Sequence, residues 1–249
     1  MLYSKSMEKP IYPMRINKYL ALKKHSTRRG ADELIKEGKV FINGKKATLG
    51  DKILETDQVE VRFRGKHIPY IYIAYHKPKG VVTHSPEEGQ SDIKQAIKKT
   101  MKSPVAVKDI FPIGRLDKDS SGLIILTNDG RITERLLGPT YLHEKEYAVK
   151  TKEPLRNNFK EKMEAGVQID REKTGKCKVQ ITGQKSFKVI LTEGKKHQIR
   201  RMCVALFAEV EELKRTRIMN IELGKLASSA HRDIIGDELQ TFLHSLELA

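Results

Sequence analysis

Two carboxylates stand in a polar loop within the segment Gly114–Gly130, whose sequence is GRLDKDSSGLIILTNDG. Asp117 and Asp119 precede the apolar run Leu123–Leu126, which does not alternate with polar residues. Such a run predicts a short strand covered on both faces. A charged loop fixed to a rigid buried strand is a favourable place for carboxylate catalysis. The plainer interpretation of Asp117 is a loop-capping aspartate, and Asp119 fits a structural hydrogen-bond acceptor better than a second catalyst.

Three further side chains that could do chemistry lie in the second half of the chain. Tyr147 could stack on a base, although an ordinary half-buried strand tyrosine would also fit. Arg200 flanks an apolar helical stripe, and a half-buried arginine needs an anion, for which Asp117 is the candidate. We interpret His197 as a phosphate or backbone contact, because no second metal-type ligand is near it in the sequence. No metal site is therefore predicted.

A mixed array of strands and helices must position these side chains, because apolar patterning after residue 70 switches repeatedly between strand-like and helix-like. The predicted strands are Ile71–Tyr75, Leu123–Thr127, Glu146–Lys150, Cys177–Thr182, Phe187–Thr192 and Arg217–Leu223. The predicted helices are Ile93–Thr100, Ile132–Leu137, Leu155–Ala165, Lys196–Phe207 and Glu238–Leu248. Strand pairs at short spacing favour an α+β domain with a mixed, largely antiparallel sheet flanked by helices.

A shorter pattern comes before this domain. Apolar residues at helical spacing predict two short helices, and the second ends at Gly38. Val40–Gly44, which ends in an Asn-Gly turn, predicts a hairpin. Val59, Val61 and Phe63 alternate as a further strand. The chain thus divides into a flexible tail over residues 1–13, a small module over 14–62, a linker over 63–70 and a larger domain over 71–249.

The surplus of positive charge indicates a polyanionic partner. The 249 residues include 48 Lys and Arg against 32 Asp and Glu, a formal net charge of +16. Residues 1–70 alone hold 16 basic and 8 acidic side chains. Because each neutralised phosphate releases counterions, this density favours RNA contact over a merely solvated helix face. The cations predicted to contact RNA are Arg15, Lys18, Lys23, Lys24, Arg28, Arg29, Lys36, Lys195, Lys196 and Arg201.

Composition excludes several other classes of protein. The longest apolar run, Tyr70–Tyr75, is far shorter than the ~18 residues that span a membrane. The N-terminal residues lack the apolar core of a signal peptide. Cys177 and Cys203 are too few for a disulfide framework or a cysteine-rich zinc site. We expect a cytoplasmic monomer that does not bind membranes.

Four ordered motifs resemble those of one enzyme family. Gly114–Gly130 resembles the catalytic motif of the pseudouridine synthases that act on ribosomal RNA and carry a Gly-Arg-Leu-Asp signature. Tyr75–Thr83 (YHKPKGVVT), His143–Val149 (HEKEYAV) and Glu193–Met202 (EGKKHQIRRM) resemble the family's Lys-Pro-x-Gly, Lys-x-Tyr and Gln-Ile-Arg segments. Residues 14–61 resemble the alpha-L RNA-binding module of the S-four ribosomal-protein type. Together the resemblances cover nearly the whole chain.

The resemblance implies three catalytic residues. Asp117 matches the catalytic aspartate, Tyr147 matches the tyrosine that stacks on the target base and is a candidate proton acceptor, and Arg200 matches the arginine that pairs with the aspartate. The family's reaction breaks the N1–C1′ bond of a uridine, turns the detached uracil and joins C5 to C1′. A carboxylate can attack or stabilise the electron-poor sugar, as in retaining glycosidases.

Three further residues are implied to hold the substrate. Arg115 matches the arginine that helps to keep the nucleotide out of its stack. Lys145 matches a lesser member of the site, and Leu223 stands where the family has an apolar lining residue. Only a proton is exchanged in the reaction, so the resemblance implies neither a cofactor nor a metal.

Longer stretches resemble the synthase F branch of this family, and the run Arg215–Asn220 (RTRIMN) does so most distinctly. That branch modifies a uridine in the peptidyl-transferase region of 23S rRNA and can also act on the anticodon of tyrosine tRNA. His197 stands where the branch usually has arginine, and Leu226–Ile234 follows the family's closing turn only loosely. Two alternatives stay open: a sibling synthase for another 23S or 16S uridine, and a non-catalytic RNA-binding or ribosome-assembly protein. The intact catalytic residues disfavour the second.

Overall fold

The computed structural model describes residues 11–23, 25–26, 28–62, 69–84, 86, 88, 90–98, 110–138 and 140–248, without the side chain of Arg29. The chain divides into two compact units, which are described one at a time. The first ends at Pro69 and the second begins at Tyr70, with the three residues Asp129–Arg131 grouped with the first.

The N-terminal unit is a pair of helices beside short strands, and its apolar side chains form a core of their own. Gly38 ends the second helix with a φ of +66°, as its sequence position predicts. Asn43 and Gly44 both have positive φ, which a two-residue hairpin turn requires. The elements are β1 (Met14–Arg15), α1 (Ile16–Leu22), α2 (Arg28–Lys36), β2 (Val40–Ile42), β3 (Lys45–Lys46), β4 (Lys52–Ile53) and β5 (Val59–Val61).

The C-terminal unit alternates strands with helices. Its helices are α3 (Ile93–Lys98), α4 (Arg131–Leu137), α5 (Phe159–Glu164), α6 (Gln198–Ala205) and α7 (Gly236–Ser245). Its strands are β6 (Tyr72–Lys77), β7 (Phe111–Ile113), β8 (Ser121–Thr127), β9 (Lys145–Thr151), β10 (Gln168–Ile169), β11 (Glu172–Lys173), β12 (Lys178–Gly183), β13 (Ser186–Leu191), β14 (Val210–Ile218), β15 (Ile221–Glu222) and β16 (His231–Asp233).

A nine-stranded sheet forms the centre of this unit, in the order β12-β13-β9-β14-β8-β6-β16, with β15 paired to β14 and β7 to β8. Its neighbouring strands are antiparallel except β14 and β8, which run parallel. The predicted α+β class with a mixed, largely antiparallel sheet is therefore confirmed.

The strand β8 is buried on both faces, as its unbroken apolar run predicts. Leu123 and Ile125 belong to the core that packs beside α4 and α7, whereas Ile124 and Leu126 belong to the core beside α3. A third core lies under α5 and α6. The polar loop that precedes β8 is thereby fixed to the most deeply buried strand of the sheet.

The predicted strand Arg217–Leu223 is wrong in its limits. The strand β14 begins at Val210, and the chain then turns through Met219, which has a φ of +51°, into the short β15. The sequence of β14 lacks a clean strand pattern, because its pairing with β9 shifts register twice and one of its buried residues is Arg215. The predicted helix Leu155–Ala165 shortens to Phe159–Glu164. Phe63, Thr100 and most of the predicted tail lie outside the described residues.

Candidate active site

One row of residues crosses the centre of the sheet and organises the site. Lys77 on β6 is paired with Gly122 on β8, Gly122 with Arg215 on β14, and Arg215 with Tyr147 on β9. Directly paired residues of neighbouring strands share a face of the sheet. Tyr147 is half-buried and packs against the core under α5 and α6. The tyrosine, the arginine and the buried lysine are therefore brought to one face.

The loop that carries Asp117 is anchored by its main chain. The hydroxyl of Thr83 donates to the carbonyl of Leu116 at 2.7 Å and accepts from its N–H at 3.1 Å. The N–H of Gly80 donates to the carbonyl of Lys118 at 2.8 Å. Within the loop, the N–H of Ser120 donates to the carbonyl of Asp117 at 3.0 Å. Because both sides of Asp117 are bonded to the adjoining β6–α3 connection, its carboxylate projects from a fixed turn.

Lys77 is fully buried behind this loop, at 0 % exposure. Its ammonium donates to the carbonyls of Pro78 at 2.9 Å and Val81 at 2.8 Å, and reaches that of Lys118 at 3.5 Å. Burial lowers the pKa of Lys77 to about 8, although the nearby carboxylate of Asp117 acts in the opposite direction. The lysine thus joins the two turns that flank the candidate catalytic carboxylate.

Arg215 closes the other side of the loop. Its Nε donates to the carbonyl of Leu123 at 2.7 Å, its Nη1 donates to the carbonyl of Arg115 at 3.4 Å, and its Nη2 is buried without a hydrogen-bond partner among the described residues. These two carbonyls stand at opposite ends of the loop. At Gly122 a Cβ would lie 2.3 Å from the carbonyl oxygen of Arg215, and φ is +113°. A glycine is therefore required where β8 approaches β14.

His197 faces the carboxylate of Asp117. The distance from its Nε2 to Oδ1 of Asp117 is 3.4 Å, and both side chains are partly exposed. His197 has a φ of +51° and immediately precedes α6. The side chain of Gln198 fixes the preceding turn, since its Oε1 accepts from the N–H of Lys195 at 2.9 Å and its Nε2 donates to Glu193 at 2.5 Å.

Arg200 lies beside the loop but does not pair with Asp117, so that expected ion pair is wrong. Its guanidinium donates to the carbonyl of Asp119 at 3.1 Å and to the carbonyl of Val210 at 3.3 Å. The arginine is half-buried, as predicted, yet its partners are main-chain oxygens. His197, three residues earlier and immediately before α6, takes the place next to the carboxylate.

The remaining predicted substrate residues occupy different environments. Arg115 is exposed at the start of the loop. Lys145 donates to the carbonyl of His143 at 3.2 Å, and burial, followed by the charge of Arg215, lowers its pKa. Leu223 is 4 % exposed and belongs to the core beside α4 and α7.

The cations predicted to contact RNA differ in their availability. Those of the N-terminal unit are partly or fully exposed where their side chains are described, and Lys36 pairs with Glu33 at 3.0 Å. Of the cations near α6, Lys195 pairs with Glu172 at 2.6 Å and Arg201 pairs with Asp170, whereas Lys196 is exposed. Lys24 and the side chain of Arg29 lie outside the described part of the chain.

Within the described ranges, no group of three His, Cys, Asp or Glu side chains is arranged to hold a metal ion. In the same part of the chain, no helix is long and apolar enough to cross a membrane. Cys177 and Cys203 are free, and burial raises the pKa of their thiols to about 11 and about 12.

Lys77 and Arg215 are two residues of the site to which the sequence alone assigned no function. Both lie inside segments that the resemblance singled out, YHKPKGVVT and RTRIMN. The available signal was a charged residue within a strand that pairs with the buried β8, since such a side chain must find polar partners. Their partners are main-chain carbonyls in and beside the loop, and a sequence pattern does not predict main-chain partners.

Comparison with known proteins places this geometry in a family. The model of the RNA pseudouridylate synthase family matches residues 71–205, and that of the S4 domain matches residues 14–59. The chain therefore belongs to the RNA pseudouridine synthase family, and it is an enzyme of that class with an S4 domain at its N terminus.

Curated relatives point to one branch of this family. The chain is 40% identical to the dual-specificity RNA pseudouridine synthase RluF of Salmonella typhi, over 90% of this chain and 77% of the relative. It is 34% identical to the ribosomal large subunit pseudouridine synthase B of Bacillus subtilis, over 91% and 94%. A crystal structure of a pseudouridylate synthase superposes with a TM-score of 0.67 at 26% identity, covering 94% of this chain and 99% of that one.

Proposed function

We propose that the enzyme isomerises a uridine in the peptidyl-transferase region of 23S rRNA and accepts the anticodon of tyrosine tRNA as a second substrate. The observation that carries this is the fixed turn that presents Asp117, in a chain whose relatives include dual-specificity synthases. The run RTRIMN resembles the same branch, and most of it lies in the strand β14, to which Arg215 bonds the catalytic loop. A sibling synthase with another target in 23S or 16S rRNA is the second candidate.

The site suits a reaction that begins at C1′ of the sugar. Asp117 attacks or stabilises C1′ while the N1–C1′ bond breaks and its electrons leave with the uracil. The base turns and C5 joins C1′, after which C5 loses its proton and N1 holds one, so no other atom is exchanged. Tyr147 provides the aromatic face against which the free base stays stacked, and it is the candidate acceptor of the C5 proton.

The residues around Asp117 hold it ready for this step. The Nε2 of His197 stands 3.4 Å from the carboxylate, and Arg200 bonds the main chain two residues further on. Arg115, exposed at the start of the loop, fills the space that the extruded nucleotide vacates in the RNA. Extrusion costs a few kcal/mol, and contacts of this kind offset part of it. Lys145 and Leu223 complete the lining as lesser members.

Replacement of the carboxylate tests the assignment. We expect Asp117→Asn to abolish the release of tritium from 23S rRNA labelled at uridine C5 while RNA affinity stays within about twofold, because binding rests on many phosphate contacts. Asp119→Asn is the matched control, since Asp119 is exposed in the same loop. Activity of Asp117→Asn within about tenfold of the wild type would contradict the proposed role, since loss of a group essential to the chemical step costs far more.

A map of pseudouridines identifies the target. Ribosomal and transfer RNA from cells with and without this gene should differ at one uridine of the peptidyl-transferase region and at the tyrosine tRNA anticodon. A difference only at another 23S or 16S site would favour the sibling synthase. We further propose that the enzyme acts in the cytoplasm, which its two free cysteines support, and that it acts as a monomer.

A further inference from the structure

The outer face of α6 changes in character along its length. His197 and Arg201 begin it beside the catalytic loop, and Val204 and Phe207 follow at helical spacing with exposures of 61% and 67%. A cavity of about 360 Å³ lies along the first part of this face, between the α6 side chains His197, Arg201 and Val204 and the segment that carries Asp170. Large apolar side chains thus stand in solvent at the far end of a face that begins with His197 and Arg201.

Phe207 occupies a backbone position that normally belongs to glycine. Its N–H donates to the carbonyl of Val204 at 3.0 Å, and the N–H of Ala208 donates to that of Cys203 at 2.9 Å, which is the pattern that closes a helix through a left-handed residue. Phe207 takes that conformation with a φ of +61°. A bulky residue costs conformational free energy here that glycine would not, so its side chain calls for another explanation.

The ring of Phe207 is backed on one side only. The guanidinium of Arg156 lies 4.0 Å from the ring centroid, which is a close cation–π contact. With two-thirds of the residue still exposed, the opposite side of the ring is open to solvent. An aromatic ring supported by arginine and open on its other face has the form of a base-stacking surface.

The position of Phe207 relative to the catalytic loop fits a nucleic-acid chain. His197 immediately precedes α6 and Phe207 follows its last turn, and the eight residues of the helix between them span about 12 Å at the rise of an α-helix. The nearest carboxylate in sequence, Glu209, pairs with Lys152 at 2.5 Å, and the carboxylate of Glu153 accepts from the N–H of Glu209 at 2.8 Å. Charge attraction at this end of the face is therefore confined to Arg156 and Lys152, and stacking on the ring has to supply most of the local affinity. A strand of RNA whose target uridine reaches Asp117 can follow the outer face of α6 towards the ring.

We propose that Phe207, backed by Arg156, is a stacking platform for an unpaired base of the substrate RNA, a few nucleotides from the uridine that enters the active site. The inference rests on the proposed function only in taking RNA as the substrate. The platform contributes to RNA affinity and to the choice of substrate, and it takes no part in the chemical step.

Fluorescence tests the stacking directly, because the chain contains no tryptophan. Phe207→Trp places one at the platform, and Ile235→Trp places one at a matched exposed site after β16, at the opposite edge of the sheet. We expect a 23S rRNA transcript to quench the emission of the first variant and leave that of the second nearly unchanged. Inorganic polyphosphate, which has charge but no bases, should quench neither.

Phe207→Gly separates a binding role from a structural one. Glycine relieves the left-handed backbone, so the melting temperature should rise, whereas affinity for the transcript should fall roughly 5- to 150-fold with the loss of one stacked base. The slope of log K against log salt should stay the same, since no phosphate contact is removed. The turnover number at saturating RNA should also stay the same.

Three results would overturn the platform. The first is that Phe207→Gly binds the transcript as tightly as the wild type. The second is that Phe207→Gly melts at a lower temperature and loses no binding beyond what unfolding explains. The third is that the wild type sediments as a dimer and Phe207→Gly as a monomer, which would make the ring a contact between two proteins. These are distinguishable from failure of the proposed function, because that failure appears as absent tritium release by the wild-type enzyme from every RNA tested.

Discussion

The imidazole of His197 stands 3.4 Å from the carboxylate of Asp117, in the place where an arginine guanidinium was expected. A guanidinium carries its N–H donors in a planar fork, whereas an imidazole presents one ring nitrogen towards a given partner. Other charged side chains near this pair include Arg200, which bonds the carbonyl of Asp119, and the buried Lys77. The side chain next to Asp117 is therefore a single ring nitrogen and not the two-pronged donor of an arginine.

Substitution of His197 should change turnover only modestly, because a contact between two partly exposed side chains is worth under about 1 kcal/mol. His197→Gln should therefore lower turnover by roughly two- to fivefold. His197→Arg supplies a permanently charged donor at the same position, so we expect its turnover to stay at or above that of the wild type. Equal rates of tritium release from all three proteins would show that the contact has no catalytic effect.

Arg215 should act through the loop that it closes. Arg215→Met removes the donors to the carbonyls of Leu123 and Arg115, each unsatisfied carbonyl costing about 1–3 kcal/mol. We expect a large fall in kcat with little change in KM, and a lower melting temperature. Arg215→Lys should restore only part of kcat, because a lysine cannot hold two separated carbonyls as a guanidinium does.

The measurement is tritium release together with thermal unfolding of the same samples. An equal loss of kcat in Arg217→Lys, the neighbouring arginine of the same strand, would argue against a specific role for Arg215. Normal kcat in Arg215→Met would show that the loop holds its shape without the guanidinium.

Lys77 makes stability depend on pH in a definite direction. Its pKa of about 8 in the folded state lies below the ordinary 10.5, so between these values the unfolded chain binds more protons than the folded one. Stability contributed by this group therefore rises with pH from about 8 to about 10.5. Urea unfolding measures the free energy of unfolding of the wild type and of Lys77→Met across this window. We expect the wild-type value minus the Lys77→Met value to rise with pH, by up to about 3 kcal/mol. A fall of this quantity with rising pH would contradict the assignment.

The N-terminal unit should set the salt dependence of RNA binding. Removal of residues 1–69 deletes the exposed cations Arg15, Lys23 and Arg28 with the rest of the basic module. Each lost phosphate contact should flatten the slope of log K against log salt by about 0.9. Filter binding of a 23S rRNA transcript between about 50 and 300 mM KCl measures this slope. An unchanged slope would show that the unit does not dock RNA through phosphates.

Much of the fold follows from local patterns in the sequence. The unbroken apolar run Leu123–Leu126 identified the buried strand β8, and the Asn43-Gly44 pair identified a hairpin turn whose dihedrals are those expected. The limits of β14 could not be obtained in this way. Buried and exposed residues do not alternate along it, because the pairing with β9 shifts register between Val210 and Glu212 and again between Arg215 and Arg217.

The site was less accessible from sequence than the fold. The resemblance named Asp117, Tyr147 and Arg200. Asp117 lies in the loop before β8 and Arg200 bonds that loop, while Tyr147 lies on β9, which β14 separates from β8. The resemblance could not specify which side chain faces Asp117, since this depends on how the turn before α6 is folded. That turn is set by the bonds of Gln198 to Glu193 and Lys195, which are tertiary details without a spacing signal.

The close approach of Gly122 to Arg215 has a consequence for exchange of segments between related synthases. Because the main chain of β8 touches that of β14, and the guanidinium of β14 bonds both ends of the loop, the loop is not an independent cassette. In a chimaera that receives the loop of a sibling enzyme without the matching β14, the hydrogen bonds from Arg215 would meet a loop of different shape. An exchange meant to change the target uridine would therefore have to move β8 with its loop and β14 together.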